Sequence, residues 1–145
     1  MTQHTVALSD LQAAANQEGK AGRVITAVSW DGGQITYLSY GWSQDTSTVY
    51  ETQVSTAAFD SVTTVAQGLA NQGYIITATG GTLANGILLI GTRVQGDTLA
   101  RPILIAQPPQ QDADILSKEG YATVGLLYNI NASGQLLANY WIGER

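Results

Sequence analysis

The sequence predicts an α+β domain: an antiparallel β-sheet of about eight strands with two main helices, built from two to three helix–hairpin pseudo-repeats. Three observations carry this. First, one phrase recurs: "GRVITAVSW" from Gly22, "GYIITATGG" from Gly73 and, more faintly, "GYATVGLLY" from Gly120. The glycines are 51 and then 47 residues apart, and identity is strongest over Ile25-Thr26-Ala27 and Ile76-Thr77-Ala78. Second, each copy ends a helix-like stretch and leads into a turn and a second strand-like stretch. Third, the strand-like stretches are rich in β-branched and aromatic residues, while apolar residues at helical spacing are sparse. The chain of 145 residues is expected to form one domain, 1–145, with pseudo-repeats over 8–55, 56–107 and 111–142.

The first unit opens on "LSDLQAAANQEGKAG". Ser9 with Gln12 three residues later has the spacing of a capping box, and Asp10 suits the positive end of the helix dipole. Gly19 or Gly22 can end this helix. "RVITAVSW", the turn Asp31-Gly32-Gly33 and "QITYLSYGW" read as a tight hairpin. With the turn at the two glycines, Val24, Val28, Trp30 and Tyr37 fall on one face. Ile25, Ala27, Leu38, Tyr40 and Trp42 fall on the other. "STVYETQV" alternates as a third strand.

The second unit repeats the order. Ser55 or Thr56 can cap a helix of about 15 residues, on which Phe59, Val62, Ala66 and Leu69 form one apolar stripe. Gly73 is placed to take a left-handed conformation at its end. "YIITATG", a turn through "GTLANG", "ILLIGTRV" and the short "PILIA" follow as strands. The third unit has the short helix "DADILSKE", ended by Gly120. Two strands then flank the turn Asn131-Ala132-Ser133-Gly134.

Composition narrows the chemistry. There is no cysteine, which excludes disulfides, thiolate metal sites and cysteine nucleophiles. Only 12% of residues are charged, the net charge is −5, and the six cations are dispersed. No basic stripe exists for a phosphate backbone, so no nucleic-acid partner is expected. No apolar run approaches the ~20 residues of a membrane helix, and no basic cluster precedes an apolar core at the start. A soluble cytoplasmic protein is the expectation, with no membrane partner.

No catalytic residue, metal site or cofactor is expected. The lone histidine, His4, sits in a segment read as a frayed terminus, and no histidine pair exists for zinc. No G-x-S-x-G elbow, Walker lysine or dinucleotide fingerprint is present. The carboxylates are spread along the chain. An acid–base site would require some of Asp31, Asp45, Glu51 and Asp97 to converge.

The aromatic residues Trp30, Tyr37, Tyr40, Trp42 and Tyr50 lie within 21 residues. Such a cluster, with Gln34, Gln44 and Gln53 nearby, is either a set of cross-strand core pairs or a platform for a ligand or partner. As a surface, it makes the protein a non-enzymatic interaction or binding module, self-associating through sheet faces or edges. The motivation is that two helices leave much apolar sheet surface to cover. The alternative is a domain binding a small molecule or carbohydrate on the Trp/Tyr platform. A small enzyme with a carboxylate/tyrosine site ranks third. The expected partner is a second copy or another protein.

Overall fold

A computed structural model of the chain describes residues 1–41, 47–82, 84–106, 113–130, 133 and 136–145. The elements run β1 (Thr2–Val6), α1 (Leu8–Lys20), β2 (Arg23–Trp30), β3 (Ile35–Gly41), β4 (Tyr50–Ala57), a 3₁₀ turn (Phe59–Ser61), α2 (Val62–Asn71) and β5 (Ile75–Thr82). They continue through β6 (Gly86–Val94), β7 (Ile103–Ala106), α3 (Ala113–Lys118), β8 (Ala122–Ile130) and β9 (Leu136–Glu144).

The α+β class and the antiparallel pairing stand, but the single sheet of about eight strands does not. Nine strands form three separate three-stranded sheets, ordered β1-β3-β2, β4-β6-β5 and β7-β9-β8. In every sheet the strand before the helix pairs with the last strand of the hairpin, antiparallel. The third strand of each sheet thus precedes the helix rather than following the hairpin. Thr2–Val6 escapes a sequence reading because it is short and mostly polar, as edge strands are. It also overturns the frayed-terminus expectation for His4, which pairs opposite Tyr37 in the ladder.

Each hairpin carries a β-bulge: between Ile25 and Ala27, between Ile76 and Ala78, and between Thr123 and Gly125. Each lies just after one of Gly22, Gly73 and Gly120, all of which have positive φ. A bulge places two residues opposite one and so reverses which residues face the core beyond it. This corrects the expected faces of the first hairpin. Ile25, not Val24, joins Trp30, Ile35 and Tyr37 in the core, while Val24 pairs with Tyr40 on the other side.

The sheets meet side by side without hydrogen-bonded pairing across the seams: β2 packs beside β5, and β5 beside β8. Small residues make this approach possible. A Cβ on Gly80 would lie 2.6 Å from the Val28 carbonyl oxygen, and one on Gly125 would lie 3.1 Å from the Thr79 methyl. The apolar run in β6 is explained by burial on both sides. Ile87 and Leu89 enter one core with α2, while Leu88 and Ile90 enter another with α1 and β2.

Both helix starts differ from expectation. α1 begins after Ala7 with no side-chain cap, and Ser9 lies inside its first turn. α2 is 10 residues long and starts after Ser61, again with no side-chain cap, because Ser55 and Thr56 belong to β4. Its apolar stripe holds: Val62, Ala66 and Leu69 are buried, and Phe59 packs against them from the 3₁₀ turn.

Candidate functional site

The five aromatic residues do not form one platform. Trp30 is 9% exposed and Tyr37 is 3% exposed, both inside the core that α1 covers, so neither offers a ring face to solvent. Tyr40 is 42% exposed on β3. Trp42, with Gln44 and Asp45, lies outside the described residues. Tyr50 is half-buried at the start of β4 and lines two cavities.

That cavity is a cleft of about 570 Å³ between α1 and β4. It exists because α1 lies directly on the outer edge of β4. Gly19 permits the approach, since a Cβ there would stand 2.3 Å from the Tyr50 carbonyl oxygen. Gln12 then clamps the strand. Its Nε2 donates to the Thr52 carbonyl at 2.7 Å, and the Val54 N–H donates to its Oε1 at 2.8 Å. The expected capping residue thus satisfies the free edge of a neighbouring sheet instead. Gln12, Asn16 and Lys20, at i, i+4 and i+8, form one wall. The sequence signal for it was a polar stripe, which reads as an ordinary solvated helix face.

The opposite side is made by Tyr50, Glu51, Gln53, Arg93 and Gln95. Arg93 donates to Glu51 at 2.7 Å and to the Gln72 carbonyl, and its guanidinium lies 4.4 Å from the centre of the Tyr74 ring. Tyr50 and Arg93 also line a second, mostly apolar cavity of about 190 Å³, with Val24, Ile75, Thr77 and Arg101. The two residues therefore stand between a polar cleft and an apolar recess.

A second polar constellation lies under β1. Glu18, 4% exposed, accepts hydrogen bonds from Arg23 and from Ser39 Oγ at 2.6 Å, with His4 Nε2 at 3.5 Å. His4 stacks on Tyr37 at 5.1 Å. Burial pushes the Glu18 carboxyl upward, but the Arg23 and Ser39 hydrogen bonds and the neighbouring positive charge outweigh it and hold it low. Burial, with the adjacent Glu18 charge, raises Tyr37. Glu18 lies four residues before Gly22, where Leu69 and Leu116 lie before Gly73 and Gly120. Both leucines are buried. Arg23 stands where Tyr74 and Tyr121 stand. Ser39, Gly91 and Gly143 are paired opposite Ile25, Ile76 and Thr123, at matching register. A Cβ on Gly91 would meet Tyr74, and one on Gly143 would meet Leu116 and Tyr121. In the unit that has Glu18 and Arg23 rather than leucine and tyrosine, the residue at this register is Ser39, whose hydroxyl binds the carboxylate.

Among the described residues Glu144 is the other buried acid, 5% exposed. Both its oxygens accept the Ile76 N–H, at 3.0 and 3.1 Å, across the seam between β9 and β5. Burial pushes its carboxyl up to about 7, against the pull of that N–H and of Arg101.

Of the carboxylates named for an acid–base site, Asp45 lies outside the described residues and the other three are separately engaged. Glu51 pairs with Arg93, Asp97 pairs with Arg101, and Asp31 accepts the Gly33 N–H in its own turn. Among the described residues no group of three or more histidines and carboxylates could hold a metal ion. Nor is any helix among them long and apolar enough to cross a membrane. Compared with protein-family models, curated proteins and solved structures, the chain matches none of them.

Proposed function

We propose that this protein is a non-enzymatic binding module that seats a small polar molecule in the cleft between α1 and β4. The observation that carries this is the position of Tyr50. Tyr50 lines both the polar cleft and the apolar recess, so a ligand seated against it can place an apolar edge on one side while its polar groups meet amides on the other. Gln12 is held rigid by its two hydrogen bonds to β4, which supports a preformed seat. Asn16, Gln53 and Gln95 add side-chain amides that both donate and accept. Amide shifts in NMR titrations with a sugar panel test the reading. Residues around Tyr50 should shift together, and Tyr50→Ala should weaken binding about tenfold, near the lower range for a lost aromatic anchor. Shifts confined to other surfaces would overturn it.

The three β-α-β-β segments are best understood as divergent copies of one unit. The matching strand order, the matching bulges and the matching glycines support this. In the first copy the leucine–tyrosine–glycine set has become Glu18, Arg23 and Ser39. Restoring it, as Glu18→Leu with Arg23→Tyr and Ser39→Gly, should give a folded protein. Loss of folding in the triple variant would argue against equivalence.

Self-association is a second reading, favoured by one observation. The outer edge of β4 is clamped by Gln12, and the chain entering β7 is tied to α2 through the Arg101 N–H and the Ala70 carbonyl. Among the described residues β1 has no such clamp. It carries no lysine, proline or bulge to deter pairing. An antiparallel pairing of two β1 strands would join two copies, and light scattering tests for the dimer.

A further inference from the structure

The lining of the two cavities is not neutral. Lys20 and Arg93 face the cleft, and Arg93 and Arg101 face the recess, so three of the chain's six cations gather around Tyr50. Glu51 pairs with Arg93 and Asp97 pairs with Arg101, so Lys20 is the cation of the lining that has no carboxylate partner among the described residues. It stands at the cleft of a protein whose net charge is −5. An anion entering the cleft meets one unpaired ammonium and no unpaired carboxylate among the lining residues, which favours an acid group there over a neutral one.

We infer that the ligand seated in this cleft is a hydroxylated organic anion, of the class of sugar acids, rather than a neutral sugar. The inference rests on the cleft being the ligand seat. The division of labour follows from the chemistry of the side chains. Arg93 is held by Glu51, the Gln72 carbonyl and the Tyr74 ring, which fixes its guanidinium at the boundary of the two cavities. Lys20 is exposed at the cleft rim, eight residues beyond Gln12 on the same helix face. A flexible ammonium at the rim attracts and contacts the acid group, and the fixed guanidinium orients it. Asn16, Gln53 and Gln95 then satisfy hydroxyls, and Tyr50 takes the ring face. Arg93 also blocks a ligand that is apolar throughout, because such a ligand would strip water from the guanidinium without replacing it.

The test compares glucuronate and galacturonate with glucose and galactose by NMR titration of the labelled full chain. Each sugar is taken to about 10 mM, where even a millimolar Kd gives near-saturation. Sodium sulfate serves as the plain anion. The uronates should shift the amides around Tyr50, with affinity at least about tenfold above the neutral sugars and several-fold weaker at high salt. Lys20→Gln, a change at an exposed site that leaves the fold intact, should remove most of that preference. Equal binding of acid and neutral sugars would overturn the anion inference and leave the ligand seat standing. Equal binding of sulfate and uronate would overturn the hydroxyl and ring contacts. No shift around Tyr50 with any probe would overturn the seat itself, and the inference with it.

Discussion

Glu144 lies where water barely reaches, and its charge has a measurable price in stability. Because burial holds its carboxyl near 7 in the folded chain, the native state binds this proton more tightly than the unfolded chain does. Stability from this group is therefore full below the ordinary carboxylate range and is lost as pH rises through about 7. At about 1.4 kcal/mol per pH unit the loss has an upper limit of roughly 3.5 kcal/mol. Glu18 works in the opposite sense, stabilising above the ordinary carboxylate range and losing its contribution on acidification. Urea unfolding at pH 5 and pH 8 should find the wild type weaker at pH 8, and Glu144→Gln should remove most of that difference. An unchanged difference in the variant would assign it to other groups. Neither acid was legible beforehand, because a charged residue near a helix end or a chain end reads as solvated. Gly73 was legible: its φ of +86° is the left-handed value that its place after α2 requires.

At the scale of elements, the same chemistry can have opposite signs on two helices. Gly19 and Gly68 are both helical glycines. Replacing a helical glycine by alanine ordinarily gains about 0.5–1 kcal/mol of propensity. At Gly68 nothing stands within 4 Å of the new methyl, so Gly68→Ala should stabilise by about that amount. At Gly19 the methyl would collide with the Tyr50 backbone, so Gly19→Ala should destabilise by at least about 2 kcal/mol. It should also open the cleft by pushing α1 off β4. Denaturation midpoints of the two variants decide this, and a Gly19→Ala protein as stable as wild type would refute the close approach. The apolar stripe of α2, most strand segments and the turn at Asp31-Gly32-Gly33 were readable from local pattern, while the turn expected at Asn131-Ala132-Ser133-Gly134 lies, apart from Ser133, outside the described residues. The helix starts were not, since both helices begin after residues that make no side-chain cap. Nor were the bulges, which change the facing of a strand without altering its composition. The cleft was missed for a different reason: its walls come from α1 and β4, which share no local pattern. Of the described residues singled out beforehand as a platform, only Tyr50 lies in it.

For the whole molecule, sequence periodicity gave strands but not their grouping. Which strand completes a hairpin is decided by pairing across a helix, and the preceding strand in each unit is the shorter or more polar signal. That same preceding strand leaves β1 at the open end of its sheet. If two copies pair there, the wild type should scatter light as a dimer at about 50 µM, since association follows concentration. Gln3→Lys, at an exposed edge position, should return it to a monomer without changing its melting. A wild-type monomer under those conditions would remove the self-association reading. The seams at Gly80 and Gly125 have a further consequence. Every backbone ladder closes within its own sheet, so a division of the chain between sheets would break no ladder and would free the few backbone groups that a side chain of the neighbouring segment holds, among them the Thr52 carbonyl and Val54 N–H on Gln12, and the Ile76 N–H on Glu144. Such a chain can gain or lose a whole segment in the course of descent at the cost of apolar exposure and those side-chain bonds, and new length can be added where a single continuous sheet would have to be torn.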